Sequence, residues 1–190
     1  PDPLQREIRK ALGSYTGVDP ECIIAGAGSD ELIDLLFRLF ISPGDRLLDC
    51  DPTFGMYAFC ARVAGADVHL IPRDELFGID VNDIKDAIDP KTKMIFITSP
   101  NNPTGNVTEE DEVKRLLETG RIVVVDEAYY EFSQRTVAHL VPQHENLVVL
   151  RTLSKWAGLA GLRIGYGIMS PSLVNHIIDI KSPYNVNVAG

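Results

Sequence analysis

The sequence predicts an α/β fold, a three-layer α/β/α domain built around a mostly parallel seven-stranded sheet. Seven short aliphatic runs alternate with amphipathic segments, and several runs, such as residues 122–125, are apolar at consecutive positions. A strand covered on both faces shows this pattern, and its alternation with helices is typical of right-handed βαβ units. The length of 190 residues suits one domain with one core, so we expect a single domain over residues 1–190.

The predicted strands lie, in chain order, at residues 22–25, 46–50, 68–71, 94–98, 122–125, 147–150 and 164–169. The helices between them have recognisable boundaries. Ser29 begins a helix that runs through Ile41, where a Ser-Pro-Gly sequence ends it. Thr108 is predicted to cap a helix that stops at Gly120, with three acidic residues in its first turn. Further helices are predicted at residues 3–12 and from Pro171 to about residue 181.

Composition excludes several classes of protein. The chain has 18 basic and 27 acidic residues, a formal net charge of −9, which argues against a nucleic-acid surface. No apolar run approaches the ~18 residues of a membrane span. The three cysteines, Cys22, Cys50 and Cys60, show no C-x-x-C spacing, so we expect reduced core thiols in a cytoplasmic protein and no metal site. The chain opens without a methionine, and we expect it to be cut at both ends.

Polar residues follow the predicted strands, at the end where open α/β sheets carry their chemistry. Lys155 lies just after a strand and next to the hydroxyl residue Ser154, and a lysine shielded from water can supply a neutral amine that attacks an aldehyde. Asp126 follows four aliphatic residues, where a carboxylate is unfavourable unless a positive group, such as a protonated pyridine nitrogen, meets it. Tyr129 is close enough to reach the same ligand. The alternatives are an ordinary lysine, a capping or metal-binding aspartate, and a packing tyrosine.

Three further motifs add binding groups. Asn102 is held between two prolines in a stiff loop, with its amide free to donate. The small residues of Gly26-Ala27-Gly28-Ser29-Asp30 lead into a helix N-terminus that suits a phosphate, although neither G-x-G-x-x-G nor G-K-[ST] is present. Arg163 adds a planar fork for phosphate oxygens, and Phe54 could stack on an aromatic ring or simply pack in the core.

The ordered set of motifs is far more specific than any one of them. In chain order the sequence contains GSDE, DPTFGMY, SPNNPTG, DEAYYEF, RTLSKWAGLAGLRIGYG and PYNVN. This series resembles the fold-type I, class I/II aminotransferases that use pyridoxal 5'-phosphate, and within them the histidinol-phosphate aminotransferases most of all. The resemblance covers nearly the whole chain. It implies an amino donor and a 2-oxo acid as substrates, with amino-group transfer between L-histidinol phosphate and 2-oxoglutarate as the leading expectation.

The resemblance also implies a role for each motif. Lys155 would hold the cofactor covalently and move a proton at the substrate, and Asp126 would bind the ring nitrogen. Asn102 and Tyr129 would bond the ring oxygen, and Phe54 would stack on the ring where many relatives have tyrosine or tryptophan. The phosphate would be bound by the backbone of Gly28, Ser29 and Asp30 and by the side chains of Thr152, Ser154 and Arg163. Trp156-Ala157 departs from the Ala-Phe often found after the lysine, which leaves local packing open.

The same resemblance implies parts that this chain does not contain. Residues 1–190 would be the large, cofactor-binding domain of a homodimer, without an N-terminal arm and without a C-terminal small domain that supplies a substrate-binding arginine. Three other functions stay open. Decarboxylases that act on phosphothreonine share almost all the motifs, an aromatic or broad-specificity aminotransferase is possible, and a regulator could keep such a domain as a sensor if a basic DNA-binding segment preceded Pro1.

Overall fold

The computed structural model describes residues 2–188, and in this part of the chain it contains one seven-stranded sheet. The strand order is β1-β7-β6-β5-β4-β2-β3. Among the described strands, β7 alone is reversed: it pairs antiparallel with β1 and with β6, and all the other pairs are parallel. The predicted fold class is confirmed, and every predicted strand is present. The strands are β1 (Ile23–Ala27), β2 (Arg46–Asp51), β3 (Asp67–Pro72), β4 (Thr92–Thr98), β5 (Ile122–Asp126), β6 (Leu147–Thr152) and β7 (Ile164–Met169).

Helices cover both faces of this sheet. They are α1 (Arg6–Thr16), α2 (Ser29–Phe40), α3 (Met56–Val63), α4 (Val81–Asp86), α5 (Glu110–Leu117), α6 (Tyr130–Ser133) and α7 (Pro171–Ile180). Side chains alternate along each strand, so Leu48 packs with residues of α1, α4 and α5 while Leu47 packs with residues of α2, α3 and α7. The result is the predicted three-layer arrangement with a buried sheet.

The predicted boundaries of two helices are wrong. The N-cap of α5 is Glu109 rather than Thr108, because Glu109 and Glu112 form a reciprocal capping box, and the helix ends at Leu117 rather than Gly120. The first helix spans Arg6–Thr16 rather than residues 3–12. It starts late because Gln5 adopts a left-handed backbone, with φ of 58°, and ends at Gly17, where φ is 73°.

Gln5 is diverted from the helix by a contact with the edge of the sheet. Its side-chain amide donates to the carbonyl of Ala25 and accepts from the Ala25 N–H, both at 2.9 Å, so it pairs with β1 as a neighbouring strand would. Asn185, from the PYNVN motif, donates to the same carbonyl at 3.2 Å and to Glu31 at 2.7 Å. These amides satisfy the backbone N–H and carbonyl groups of Ala25 at the exposed edge of β1, and they join the two ends of the described chain.

The direction of β7 decides what meets at one edge of the sheet. Six strands share one direction, and β7 is reversed between β1 and β6. The carboxyl ends of the six and the amino end of β7 therefore lie together. The prediction that every polar motif follows a strand is wrong for Arg163, which precedes β7, yet the reversal brings it to the same edge. Within the described residues, no helix has the length and hydropathy needed to cross a bilayer.

Asp49 is an acidic group buried away from this edge of the sheet. It lies on β2 with 2% of its surface exposed, and its Oδ1 atom has no hydrogen-bond partner. Burial, and then the nearby Asp51, raise its pKa to about 7, while Arg73 opposes the rise. Because the pKa in the folded state exceeds that in the unfolded state, the stability linked to this group is complete below the unfolded pKa and is lost as pH rises through about 7.

Asparagine at position 49 is expected to remove this loss. At about pH 8 the Asp49→Asn variant should have a higher free energy of unfolding than the unsubstituted protein, by up to roughly 1.4 kcal/mol for each pH unit between the two pKa values, and the gain should vanish near pH 4. Urea unfolding across this pH range measures the difference. The exposed Asp86→Asn on α4 is the control. A difference that does not vary with pH would contradict the argument.

Candidate active site

The predicted site residues meet at one cavity at this edge of the sheet. All of them except Gly28 line it. The lining residues are Ser29, Asp30, Phe54, Tyr57, Thr98, Asn102, Asp126, Ala128, Tyr129, Thr152, Ser154, Lys155 and Arg163. The segments that supply them follow β1, β2, β4, β5 and β6 or precede β7, so residues far apart in the sequence come to one place.

Asp126 is the buried acid of the cavity. It ends β5 with 3% of its surface exposed, and Tyr57 donates a hydrogen bond to Oδ2 at 2.8 Å while the Ala128 N–H donates to Oδ1 at 2.9 Å. Burial raises the pKa of Asp126, and the bonds from Tyr57 and Ala128 oppose the rise. A cation bound in the cavity would stabilise the carboxylate further.

Lys155 reaches the same cavity from the loop after β6. Its Nζ atom lies 5.6 Å from the centroid of the Tyr129 ring. The sequence argument expected this lysine to be shielded from water, but the residue is exposed. The reason is its place in the loop between β6 and β7, at the open side of the cavity rather than beneath it.

Two glycines let the backbone form an anion cradle. A Cβ atom at Gly28 would lie 2.5 Å from Nη2 of Arg163, and one at Gly165 would lie 2.1 Å from the backbone nitrogen of Ser29. Gly28 does not line the cavity, but its lack of a side chain lets Arg163 pass beside the start of α2. The N-terminal N–H groups of this 12-residue helix, the hydroxyls of Thr152 and Ser154, and Arg163 are donors suited to a phosphate.

Arg163 already has an anionic partner in the structure. Its Nη2 atom lies 2.8 Å from Oδ2 of Asp30, and the two side chains are 48% and 45% exposed. An exposed pair of this kind contributes little to stability, so a phosphate could take the place of the Asp30 carboxylate at low cost.

The family of this chain follows from comparison with known proteins. The chain matches the sequence model of the family described as aminotransferase class I and II over residues 1–190. It belongs to this family. A histidinol-phosphate aminotransferase of Dehalococcoides mccartyi strain 195 is 51% identical over 189 residues, which is 100% of this chain and 53% of that protein. The chain thus spans about half the length of the curated relatives it matches.

Solved structures of aminotransferase relatives share the fold. The histidinol-phosphate aminotransferase from Clostridium acetobutylicum matches with a TM-score of 0.89 and 27% identity, covering 98% of this chain and 57% of that one. The L-threonine-O-3-phosphate decarboxylase from Porphyromonas gingivalis matches with a TM-score of 0.83 and 26% identity, covering 99% of this chain and 56% of that one. The fold is therefore common to both reactions.

Sequence reasoning missed two residues that hold the groups around this cavity in place. Tyr57 is fully buried, donates to Asp126 and lies 3.0 Å from the Thr98 hydroxyl. Burial and the Asp126 carboxylate raise its pKa, so it stays protonated and able to donate. Asn101, rather than Asn102, fixes its loop: its amide donates to Pro52 and to Thr104 at 3.0 and 2.7 Å. The only available signal was their position inside the DPTFGMY and SPNNPTG motifs.

The cradle predicts a specific sensitivity at Gly165. Alanine there would place Cβ against the backbone of Ser29 and Gly28, which cannot move without displacing the start of α2. We expect Gly165→Ala to lower the free energy of unfolding by about 1–3 kcal/mol, measured by urea denaturation. Gly161→Ala is the matched control, since a Cβ at that position meets nothing within 4 Å. Equal effects of the two substitutions would show that the close approach is absent.

Proposed function

We propose that residues 1–190 form the cofactor-binding domain of an aminotransferase that transfers an amino group between L-histidinol phosphate and 2-oxoglutarate, in histidine biosynthesis. The observation that carries the proposal is one cavity lined by an amine, a buried carboxylate and an anion cradle. The 51% identity to a relative named histidinol-phosphate aminotransferase supports the choice of substrate.

The donor set of the cavity fits pyridoxal 5'-phosphate. A phosphate fits the start of α2 with the side chains of Thr152, Ser154 and Arg163, because these are N–H, hydroxyl and guanidinium donors. A pyridinium N–H fits Asp126, because the buried carboxylate accepts hydrogen bonds, within residues 2–188, from two neutral groups, Tyr57 and the Ala128 N–H. When bound, this cofactor supplies an aldehyde that exchanges amines and a ring that withdraws electrons.

Each predicted site residue then has a defined role. Lys155 would hold the cofactor through its Nζ atom and, once released, accept a proton from the substrate Cα and return it. Asp126 would keep the proton on the ring nitrogen. Asn102 and Tyr129 would donate to the ring oxygen, and Phe54 would stack on the ring. The backbone of Gly28, Ser29 and Asp30 would bind the phosphate with the donors named above.

We further propose that the protein is a cytoplasmic homodimer. Large, exposed aromatic side chains lie close to residues that line the cavity. Phe132 is 69% exposed, Trp156 42% and Tyr15 48%. Tyr15 stacks on Trp156 with ring centroids 5.7 Å apart, and Phe132 lies 6.3 Å from Tyr129. A cluster of exposed aromatic residues is typical of a surface that another subunit covers. Three buried free cysteines agree with a reducing compartment.

Turnover by the full-length protein tests the proposed reaction. With pyridoxal phosphate, L-histidinol phosphate and 2-oxoglutarate, we expect glutamate to form, and Lys155→Ala to lower kcat by roughly 100-fold to 10,000-fold. Lys93→Ala, at the amino end of β4, is the matched control and should leave kcat unchanged. Borohydride should bleach the yellow protein and fix the label on Lys155, as read by peptide mass spectrometry.

Several outcomes would contradict the proposal. A label on a different lysine would show that the cavity is misassigned. Carbon dioxide released from phosphothreonine, with no glutamate formed, would favour the decarboxylase, whose solved example shares this fold. Glutamate formed faster from aromatic donors would favour the broad-specificity alternative. Residues 1–190 assayed alone should show little or no turnover, because the relatives are about twice as long as the matched region.

A further inference from the structure

An ion pair is completely buried beside the cavity without lining it. Arg151 and Glu127 have side chains that are 3% and 1% exposed. The Arg151 Nε–H donates a hydrogen bond to Glu127 Oε2 at 2.9 Å, and Nη2 lies 2.8 Å from the same oxygen. The guanidinium is therefore held against one oxygen of the carboxylate by a charge-assisted hydrogen bond.

Neighbouring groups complete the hydrogen bonds of the pair. Thr136 donates to Glu127 Oε2 at 2.8 Å and accepts from Arg151 Nη2 at 2.7 Å. The Val137 N–H donates to Glu127 Oε1 at 2.8 Å, and the Tyr130 ring lies 3.7 Å below the Arg151 guanidinium carbon.

Three members of the cluster are next in sequence to a residue of the candidate active site. Glu127 follows Asp126, Tyr130 follows Tyr129, and Arg151 precedes Thr152 in the segment that leads to Lys155. The paired residues of β5 and β6 end at Asp126 and Leu150, and one further backbone bond joins the Glu127 N–H to the Leu150 carbonyl at 2.8 Å. Beyond that bond, the Glu127–Arg151 pair joins the two segments through side chains.

Stability alone is a weak reason for such a pair. Removing two charges from water costs several kcal/mol per ion, and well-packed apolar residues of similar size often stabilise a protein as well. What a buried, hydrogen-bonded charged pair adds is a fixed geometry between the elements that carry it. Here those elements are the segment of Asp126 and Tyr129 on one side and the loop of Lys155 on the other.

We propose that the Glu127–Arg151 pair, with Tyr130, is a positioning device that holds the acid side and the lysine side of the cavity at a fixed separation. This inference rests on the proposed function, since the separation matters because both sides would contact one cofactor. Arg151 and Glu127 are positioning residues: they act through Asp126, Tyr129 and Lys155, not on the substrate.

Trp156, the only tryptophan of residues 1–190, gives a readout that does not depend on the cofactor. Trp156 follows Lys155, is 42% exposed and stacks on Tyr15, so movement of the lysine loop changes the solvent around its indole. In the cofactor-free, full-length protein, with any tryptophan outside residues 1–190 replaced by phenylalanine, Arg151→Lys should shift the emission maximum of Trp156. Arg46→Lys is the matched control, because Arg46 forms a half-buried pair with Asp89 at 2.7 Å at the amino end of β2. It should lower the melting temperature and leave the emission unchanged.

The second readout is the absorbance of the bound cofactor. With pyridoxal phosphate added, Arg151→Lys should move the pH midpoint of the visible band by about half a pH unit or more, since the lysine and its partners change separation. Arg46→Lys should not move it. If Arg151→Lys does not fold, Glu127→Gln, which keeps the size and most hydrogen bonds of the acid, supplies the same two readouts.

The outcomes separate the two proposals. A lower melting temperature for Arg151→Lys, with emission and pH midpoint both unchanged, would reduce the pair to a structural role and overturn the inference. If the unsubstituted protein forms no visible band that depends on Lys155, the proposed function fails. In that case a shift of Trp156 emission in Arg151→Lys alone would still support the positioning role, and an unshifted emission would overturn it.

Discussion

The edge at which six strands end and β7 begins is the constraint on which the candidate site depends. Parallel strands place the residues that follow them on one side, and the reversed β7 adds Arg163 to the same side. This arrangement requires β7 to pass very close to the start of α2, and Gly165 permits it, because any side chain would collide with the Ser29 nitrogen. The anion cradle is therefore a consequence of sheet topology and of the missing Cβ atoms at Gly165 and Gly28.

Burial of acids is an energetic cost of this arrangement. Burial raises the pKa values of Asp126 and Glu127, which are adjacent in sequence but have different partners. Glu127 meets a guanidinium, whereas the two hydrogen bonds to Asp126 come from Tyr57 and a backbone N–H, both neutral. Neutral donors hold the Asp126 carboxylate in place without cancelling its charge, so that charge stays available to a cation in the cavity.

The sequence could predict the strands and site residues that depend on a local pattern of residues. Strands such as Ile122–Asp126 were evident because buried parallel strands are apolar at consecutive positions, and Lys155 and Asp126 were evident because polar residues follow those strands. Tyr57 was missed because its importance comes from a contact with Asp126, 69 residues further along the chain. The start of α1 was wrong for a similar reason, since Gln5 leaves the helix to bond Ala25. Distant contacts override local propensity in both cases.

The most direct test of the account is a crystal structure of the full-length protein grown with pyridoxal phosphate. The account predicts electron density continuous from Lys155 Nζ to the cofactor, with the ring nitrogen within about 3 Å of an Asp126 carboxylate oxygen. Cofactor density that reaches only one of these two side chains, or that lies in a different cavity, would contradict it.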